Sequence, residues 1–199
     1  VEKNILKKNL IKLIKNKYLL SKSNLENLSF AYKLSNIFKI KKNKILKSLN
    51  NFKGLPHRNE IFYNKDGIKF INDSKATSFE ATHHALENNE NIFWIVGGLP
   101  KLNDKFKLQD VKQNIIKSYI IGKNINYFKK QIENTTEYKC SFTIKNALQD
   151  VIQDLFLLNQ QKATILLSPA SASYDQFKNF SERGNNFKKI TLEYARKFL

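Results

Sequence analysis

The run Asn72-Asp73-Ser74-Lys75 closes an apolar stretch, with Thr77 and Glu80 following it. A cation just ahead of a helix opposes the helix dipole, so Lys75 is easier to understand if it meets an anion. Asp73 has two readings, as an acceptor for ribose hydroxyls or as a partner for Lys75. Thr77 or Ser74 suits a helix cap, with Glu80 completing a capping box three residues past Thr77. Two other segments share this form. "IFWIVGG" ends in Gly97-Gly98 ahead of Lys101, and "TILLSPASAS" runs into Ser168 through Ser173. The two glycines allow a ligand close approach to backbone, or make a plain strand exit. Ser171 and Ser173 can bond the amides of the next helix. Ligands of open α/β sheets bind beyond the carboxyl ends of the strands. If these three strands are parallel, two lysines and several hydroxyls meet at one edge, in a pocket suited to a carboxylate or phosphate. Phe177 and Phe180 have the character of core residues, and a solvated surface lysine is the default for Lys101.

Other chemistries lack their residues. His83 and His84 are adjacent on a predicted helix and face different ways, and one cysteine with scattered acids supplies no metal site. His57-Arg58 follows a Gly-Leu-Pro bend; Arg58 can hold a phosphate, stack on a base or pair with Glu60. The six glycines, at 54, 67, 97, 98, 122 and 184, assemble neither a G-x-x-x-x-G-K-[ST] loop nor G-x-G-x-x-G. "SPASAS" lacks the frame of a serine nucleophile elbow.

The elements that must position these residues follow from periodicity. Leu25, Leu28, Ala31, Tyr32, Leu34 and Ile37 suit one helix face, capped by Ser23 or Asn24. "KKNKILKSLNNF" reads as a shorter helix. Within residues 1–20, Ile5, Leu6, Leu10, Leu13 and Ile14 fit a helix or short strands. A domain boundary is expected after Gly54, giving domains 1–54 and 55–199. Beyond it, "EIFYNKDGIKFIND" is a hairpin turning at Asp66-Gly67. Helices are expected in "ATSFEATHHALENN", "NINYFKKQIEN" and "TIKNALQDVIQDLFLLN", and one or two in the last 25 residues. "VKQNIIKSYIIG" holds a helix and then a strand near Ser118–Ile121. With "NIFWIVGG", "EYKC" and "ATILL" as strands, the alternation predicts an α/β fold with a mostly parallel, Rossmann-like sheet.

Composition narrows the class. Net charge is +18, yet only Arg58, Arg183 and Arg196 are arginines. A field of this size can hold nucleic acid or an anionic membrane face. Lysine, asparagine and isoleucine recur as A/T-biased codons would give, and base-reading surfaces favour arginine forks, so no nucleic-acid partner is expected. No run approaches a membrane span. The lone Cys140 excludes an internal disulfide and favours a reducing compartment. The chain begins at Val1 and has no methionine, which reads as a piece of a longer protein.

"FKGLPHRNE", "FINDSKATS", the glycine pair before Lys101, and "LLSPASASYDQFKNFSERGNNF" together resemble the Mur ligases, specifically their D-glutamate-adding branch. The resemblance spans roughly residues 20–187. It implies a three-domain cytoplasmic, monomeric enzyme of peptidoglycan synthesis, using ATP and Mg2+ to add D-glutamate to UDP-N-acetylmuramoyl-L-alanine through an acyl phosphate. This chain would be the helical tail of the central ATP-binding domain and the Rossmann-like C-terminal domain. The phosphate loop would lie upstream, leaving the piece alone inactive and without tight ATP binding. By resemblance, Lys75, Thr77, Lys101, Ser173, Tyr174 and Phe180 surround D-glutamate, with Lys75 and Lys101 as the catalytic cations. Asp73, His57 and Arg58, with Asn24 and Asn27 of an "H-N-x-x-N" helix start, would face the nucleotide. Ser23 stands in place of the usual histidine of that motif, Ser78 of an asparagine, Ser171 of a cysteine and Tyr174 of an apolar residue. Leu99-Pro100 replaces a more polar link. The alternative is a degenerate, ligase-derived module that binds an acidic amino acid or a protein partner.

Overall fold

The computed structural model describes residues 11–20 and 22–198, without the side chains of residues 17, 18, 22, 23 and 198. Ile5, Leu6 and Leu10, and the side chain of Ser23, fall outside the described residues. The chain divides into two compact units, Val1–Gly54 and Leu55–Leu199.

The described part of the first unit is helical. A 3₁₀ turn (Lys17–Leu20) precedes α1 (Lys22–Ile37) and α2 (Lys42–Asn51). Leu28 is buried with Ile14 and Leu19, and Leu25, Tyr32, Leu46 and Leu49 pack against them. Leu34 and Ile37, expected on the same buried face, are exposed instead. The Asn16 amide donates to the carbonyls of Leu49 (3.0 Å) and Phe52 (2.6 Å), fastening the entering segment to the end of α2.

The second unit is a six-stranded sheet with helices on both faces. Its elements are β1 (Glu60–Lys65), β2 (Ile68–Asn72), α3 (Phe79–Glu87), β3 (Ile92–Gly97), β4 (Ile115–Ile121), α4 (Ile125–Ile132), β5 (Tyr138–Phe142), α5 (Ile144–Leu157), β6 (Ala163–Leu167) and α6 (Phe180–Phe198). The spatial order is β1-β2-β6-β3-β4-β5. Only β1 runs antiparallel to its neighbour; the other pairings are parallel. The hairpin turns where expected, at Asp66 (φ 50°) and Gly67 (φ 84°), the left-handed pair that matches strand twist.

β3 and, apart from Thr164, β6 are apolar along their length because helices cover both faces of a parallel sheet. Every residue of β3 and of β6 is buried. Trp94, Leu86, Phe79 and Phe128 fill one layer, under α3 and α4. Phe70, Phe93, Tyr119, Leu148 and Phe187 fill the other, under α5 and α6. The helix expected ahead of β4 is only a 3₁₀ turn, Lys112–Asn114.

Candidate functional site at the carboxyl edge of the sheet

The order β2-β6-β3 brings the three polar strand ends side by side. Asp73 N–H extends the ladder to Leu167 O (2.8 Å), Gly97 N–H reaches Pro169 O (3.0 Å), and Leu99 exchanges both backbone bonds with Ala172. Lys75, Lys101 and Ser173 thus leave from three adjacent parallel strands at one edge. The crossover from β5 returns β6 between β2 and β3, which makes this edge a topological switch point of the kind where α/β sheets bind ligands.

Lys75 is exposed, its ammonium 5.5 Å from the centroid of the Phe180 ring. Its backbone N–H is tied to His57 O (2.9 Å). Phe180 is half-buried and meets His57 edge-on. Thr77, Lys101 and Tyr174 are exposed, while Ser173 is buried. The Ser173 carbonyl accepts from the amides of Gln176 and Phe177 in the turn before α6. The cap of α3 is Ser78, which accepts from Ala81 N–H, rather than Thr77 or Ser74. Asp104 adds a charge-assisted bond to Phe79 N–H at 2.7 Å. Thr77 is therefore free of capping duty at the rim.

Other residues of this set form the frame. Asp73 is buried and does not pair with Lys75. Its Oδ1 accepts from Asn59 N–H (3.0 Å) and its Oδ2 from the Ser168 hydroxyl (2.7 Å). Burial pushes its carboxyl up to about 6, with those hydrogen bonds pulling the other way. His57 is also buried; Nδ1 accepts from the Asn72 amide (3.0 Å), which also donates to Gly184 O (3.1 Å). Burial holds the imidazole below its ordinary value. Glu60, a possible partner for Arg58, instead accepts from His57 N–H (3.0 Å) and binds Lys188 (2.6 Å). Arg58 itself is exposed. Ser171 does not cap α6; its hydroxyl donates to Gly97 O (2.7 Å). Gly97 and Gly98 (φ 129° and 137°) admit the chain's own backbone: a Cβ would lie 2.0 Å from Ile121 O at the first and 2.5 Å from Ala172 O at the second. Gly184 does the same for a helix, since a Cβ there would lie 2.3 Å from His57 Nδ1. Asn24 is half-buried and Asn27 exposed near the start of α1, in the other unit.

Sequence reasoning missed Arg183. This side chain is 1% exposed and knits the rim together. Nε donates to Ser74 Oγ (3.0 Å), and Nη2 to the carbonyls of Ser74 (2.8 Å) and Ser171 (2.9 Å). Ser74 Oγ in turn donates to Phe180 O (2.8 Å). One guanidinium thus joins the loop after β2, the loop after β6 and the start of α6. Nη1 has no hydrogen-bond partner and lies toward Gly98. Burial pulls the guanidinium down to about 10, so it stays charged at neutral pH. The available signal was an arginine in a chain otherwise built on lysine; only a planar fork makes these bonds together.

A cavity of about 430 Å³ lined by Lys69, Asn89, Asn114 and Lys162 lies at the opposite, amino edge of the strands. The carboxyl rim carries the exposed Lys75, Thr77, Lys101 and Tyr174, group types that can bind a small anion by charge and hydrogen bonds.

No family model matches the chain. Among curated proteins it is 35% identical over 165 residues to a UDP-N-acetylmuramoylalanine–D-glutamate ligase of Wolbachia from Brugia malayi, covering 83% of this chain and 33% of that protein. The enzyme of that name from Rickettsia bellii is 33% identical, with 88% and 39% covered. The one from Nitrobacter winogradskyi is 39% identical, with 71% and 30% covered. The chain therefore spans about a third of the length of these relatives. Among solved structures, MurF from Acinetobacter baumannii aligns with a TM-score of 0.64 at 13% identity, over 89% of this chain and 38% of that one. A pseudomurein peptide ligase from Methanothermus fervidus aligns at 0.55 and 17%, over 86% and 36%. Both share the fold.

Proposed function

The chain is homologous over most of its length to the D-glutamate-adding branch of the Mur ligases, and on that premise we propose that it is the amino-acid-binding part of an ATP-dependent amide-forming ligase. Its substrates are D-glutamate and UDP-N-acetylmuramoyl-L-alanine, in peptidoglycan synthesis. The observation that carries this reading is the meeting of the β2, β6 and β3 ends at one edge, with Lys75 over Phe180.

Lys75 and Lys101 neutralise the carboxylates of D-glutamate, and Thr77 adds a hydroxyl. Ser173 is buried and its carbonyl holds the turn through Gln176 and Phe177, so it positions the backbone near Tyr174 that takes the side-chain carboxylate, and Phe180 walls the site beside the Lys75 ammonium. So held, the amine lone pair faces the acyl carbon of the second substrate. C–N bond formation builds negative charge on the acyl oxygen that the nearby ammonium groups offset; the acyl–phosphate bond then breaks, inorganic phosphate leaves and the amine proton passes to solvent. When bound, ATP with Mg2+ would supply the phosphate that activates the acceptor carboxylate. Of the residues assigned to the nucleotide in this unit, Arg58 alone is exposed; His57 is buried and both oxygens of Asp73 are engaged. These residues do not fit ATP by themselves, consistent with a nucleotide site completed by the rest of the protein.

The test is an assay of the intact gene product with ATP, UDP-N-acetylmuramoyl-L-alanine and D-glutamate, set against other amino acids. The D-glutamate amide is the expected product. Lys75→Ala is expected to lower kcat/KM about 100-fold or more, as for a lost charge-assisted contact in a site. Because Lys75 is exposed, Tm should stay put. Parallel loss of Tm and activity, or turnover by the 199-residue chain alone, contradicts the assignment.

A further inference from the structure

We propose that Asp104 is a positioning residue of the rim: its carboxylate ties the Lys101 turn to the start of α3 and so sets Lys101 relative to Thr77 and Lys75. The inference rests on the ligase reading for its purpose, and on contacts within the second unit for its geometry. Lys101 lies between two fixed points. On one side, Leu99 exchanges both backbone bonds with Ala172, and the ring of Pro100 locks its φ. On the other, Asp104 N–H bonds Lys101 O (3.2 Å), closing a four-residue turn in which Asn103 takes φ 59°. Lys101, Leu102 and Asn103 are all exposed, Leu102 by 88%, so burial does not hold this turn.

Asp104 does. Its Oδ2 accepts from Phe79 N–H (2.7 Å), and its carbonyl accepts from the Tyr127 hydroxyl on α4. The residues that follow form a packed base. Phe106 stacks on Phe79 with ring centroids 4.5 Å apart, and its N–H donates to Gln131 Oε1 (3.1 Å). Leu108 and Val111 are buried in the core. The partner chosen by the carboxylate is informative. The segment between β3 and β4 carries Lys101, Lys105, Lys107 and Lys112, yet among the described residues Asp104 forms an ion pair with none of them. It is directed at a main-chain N–H, at a helix end whose dipole favours an anion. Capping alone does not require it, because Ser78 already accepts from Ala81 N–H. What Asp104 adds is the link between the loop after β3 and the segment carrying Lys75 and Thr77.

The experiment is steady-state kinetics of the intact gene product, with D-glutamate and ATP varied separately. Asp104→Ala is expected to raise KM for D-glutamate about tenfold, as a misplaced binding group does, and to leave KM for ATP unchanged. Asp104→Asn keeps an acceptor oxygen and is expected to recover most of that rise. Ser78→Ala removes a cap from the same helix without touching the Lys101 turn. It should lower Tm by about 2–4 °C, as Asp104→Ala does, and leave KM for D-glutamate within about twofold. A second readout needs no turnover. In the 15N-labelled 199-residue chain, Asp104→Ala should move the Phe79 amide signal upfield as a charge-assisted bond is lost, and the signals of Lys101, Leu102 and Asn103 should move with it. A parent protein that forms no D-glutamate amide would remove the ligase reading and leave this readout to decide the tie. The proposal is overturned by an active Asp104→Ala enzyme with unchanged KM for D-glutamate, or by Ser78→Ala raising that KM equally. It is likewise overturned by signals at Lys101 to Asn103 that do not respond to the change at Asp104.

Discussion

Lys75 and Asp73 stand two residues apart in opposite surroundings. The ammonium stands in water over an aromatic ring, while the carboxylate is sunk among hydrogen-bond donors. A lysine so placed adds little to stability, because an exposed cation–π contact contributes only about 0.5–1 kcal/mol. Asp73 has a different consequence. Its folded carboxyl lies at about 6 against an ordinary 3.8, so the folded chain keeps a proton that the unfolded chain has already lost. Asp73 therefore contributes stability that is full below about pH 3.8 and lost as pH rises to about 6, on the order of 3 kcal/mol. His57 acts with the other sign, since burial lowers its value and its contribution is lost as pH falls below 6.5. Asp73→Asn removes the first effect and leaves the second. Thermal melts should show the variant gaining on the parent between pH 4 and 6.5. A difference that stays flat, or shrinks, means Asp73 is not held as described.

Hydrophobic runs and turn residues identified most of the elements, because those signals are local. The Asp66-Gly67 hairpin, the buried strand ending at Gly97 and the helix following Thr143 each carry a signal within a few residues. Residue type alone pointed the α3 cap to Thr77 or Ser74, whereas the resemblance left a polar cap at Ser78, where the structure has it. Phe79 N–H donates to Asp104 and Ala81 N–H to the Ser78 hydroxyl, and together these bonds mark the first turn. The short Lys112–Asn114 turn was overread as a helix from apolar spacing that belongs to β4. At the rim, the convergence of strand ends was legible from their common pattern. What joins them was not, because the Arg183 bonds span 109 residues to Ser74 and 12 to Ser171. Arg183→Lys keeps the charge but cannot make the same set of bonds. Loss of charged-group hydrogen bonds in a buried site costs about 1.5–3 kcal/mol each, so urea unfolding should show a loss of about 2–4 kcal/mol. A change below 0.5 kcal/mol would remove Arg183 from its structural role.

For the whole molecule, one long-range feature and one global quantity read differently. The parallel order β2-β6-β3 decides that three distant polar segments share an edge, and periodicity supported that arrangement before any strand order was known. The +18 charge is spread through both units as lysine and carries no positional information of that kind. The function proposed for the rim depends on the first feature alone. Its most direct test is titration of the 15N-labelled chain with D-glutamate, followed by backbone amide shifts. Saturable shifts at Lys75, Thr77, Lys101, Ser173 and Phe180, weaker with L-glutamate, are predicted. Shifts centred on Lys69, Asn89 and Lys162 at the amino edge, with none at Lys75 and Ser173, would contradict the account.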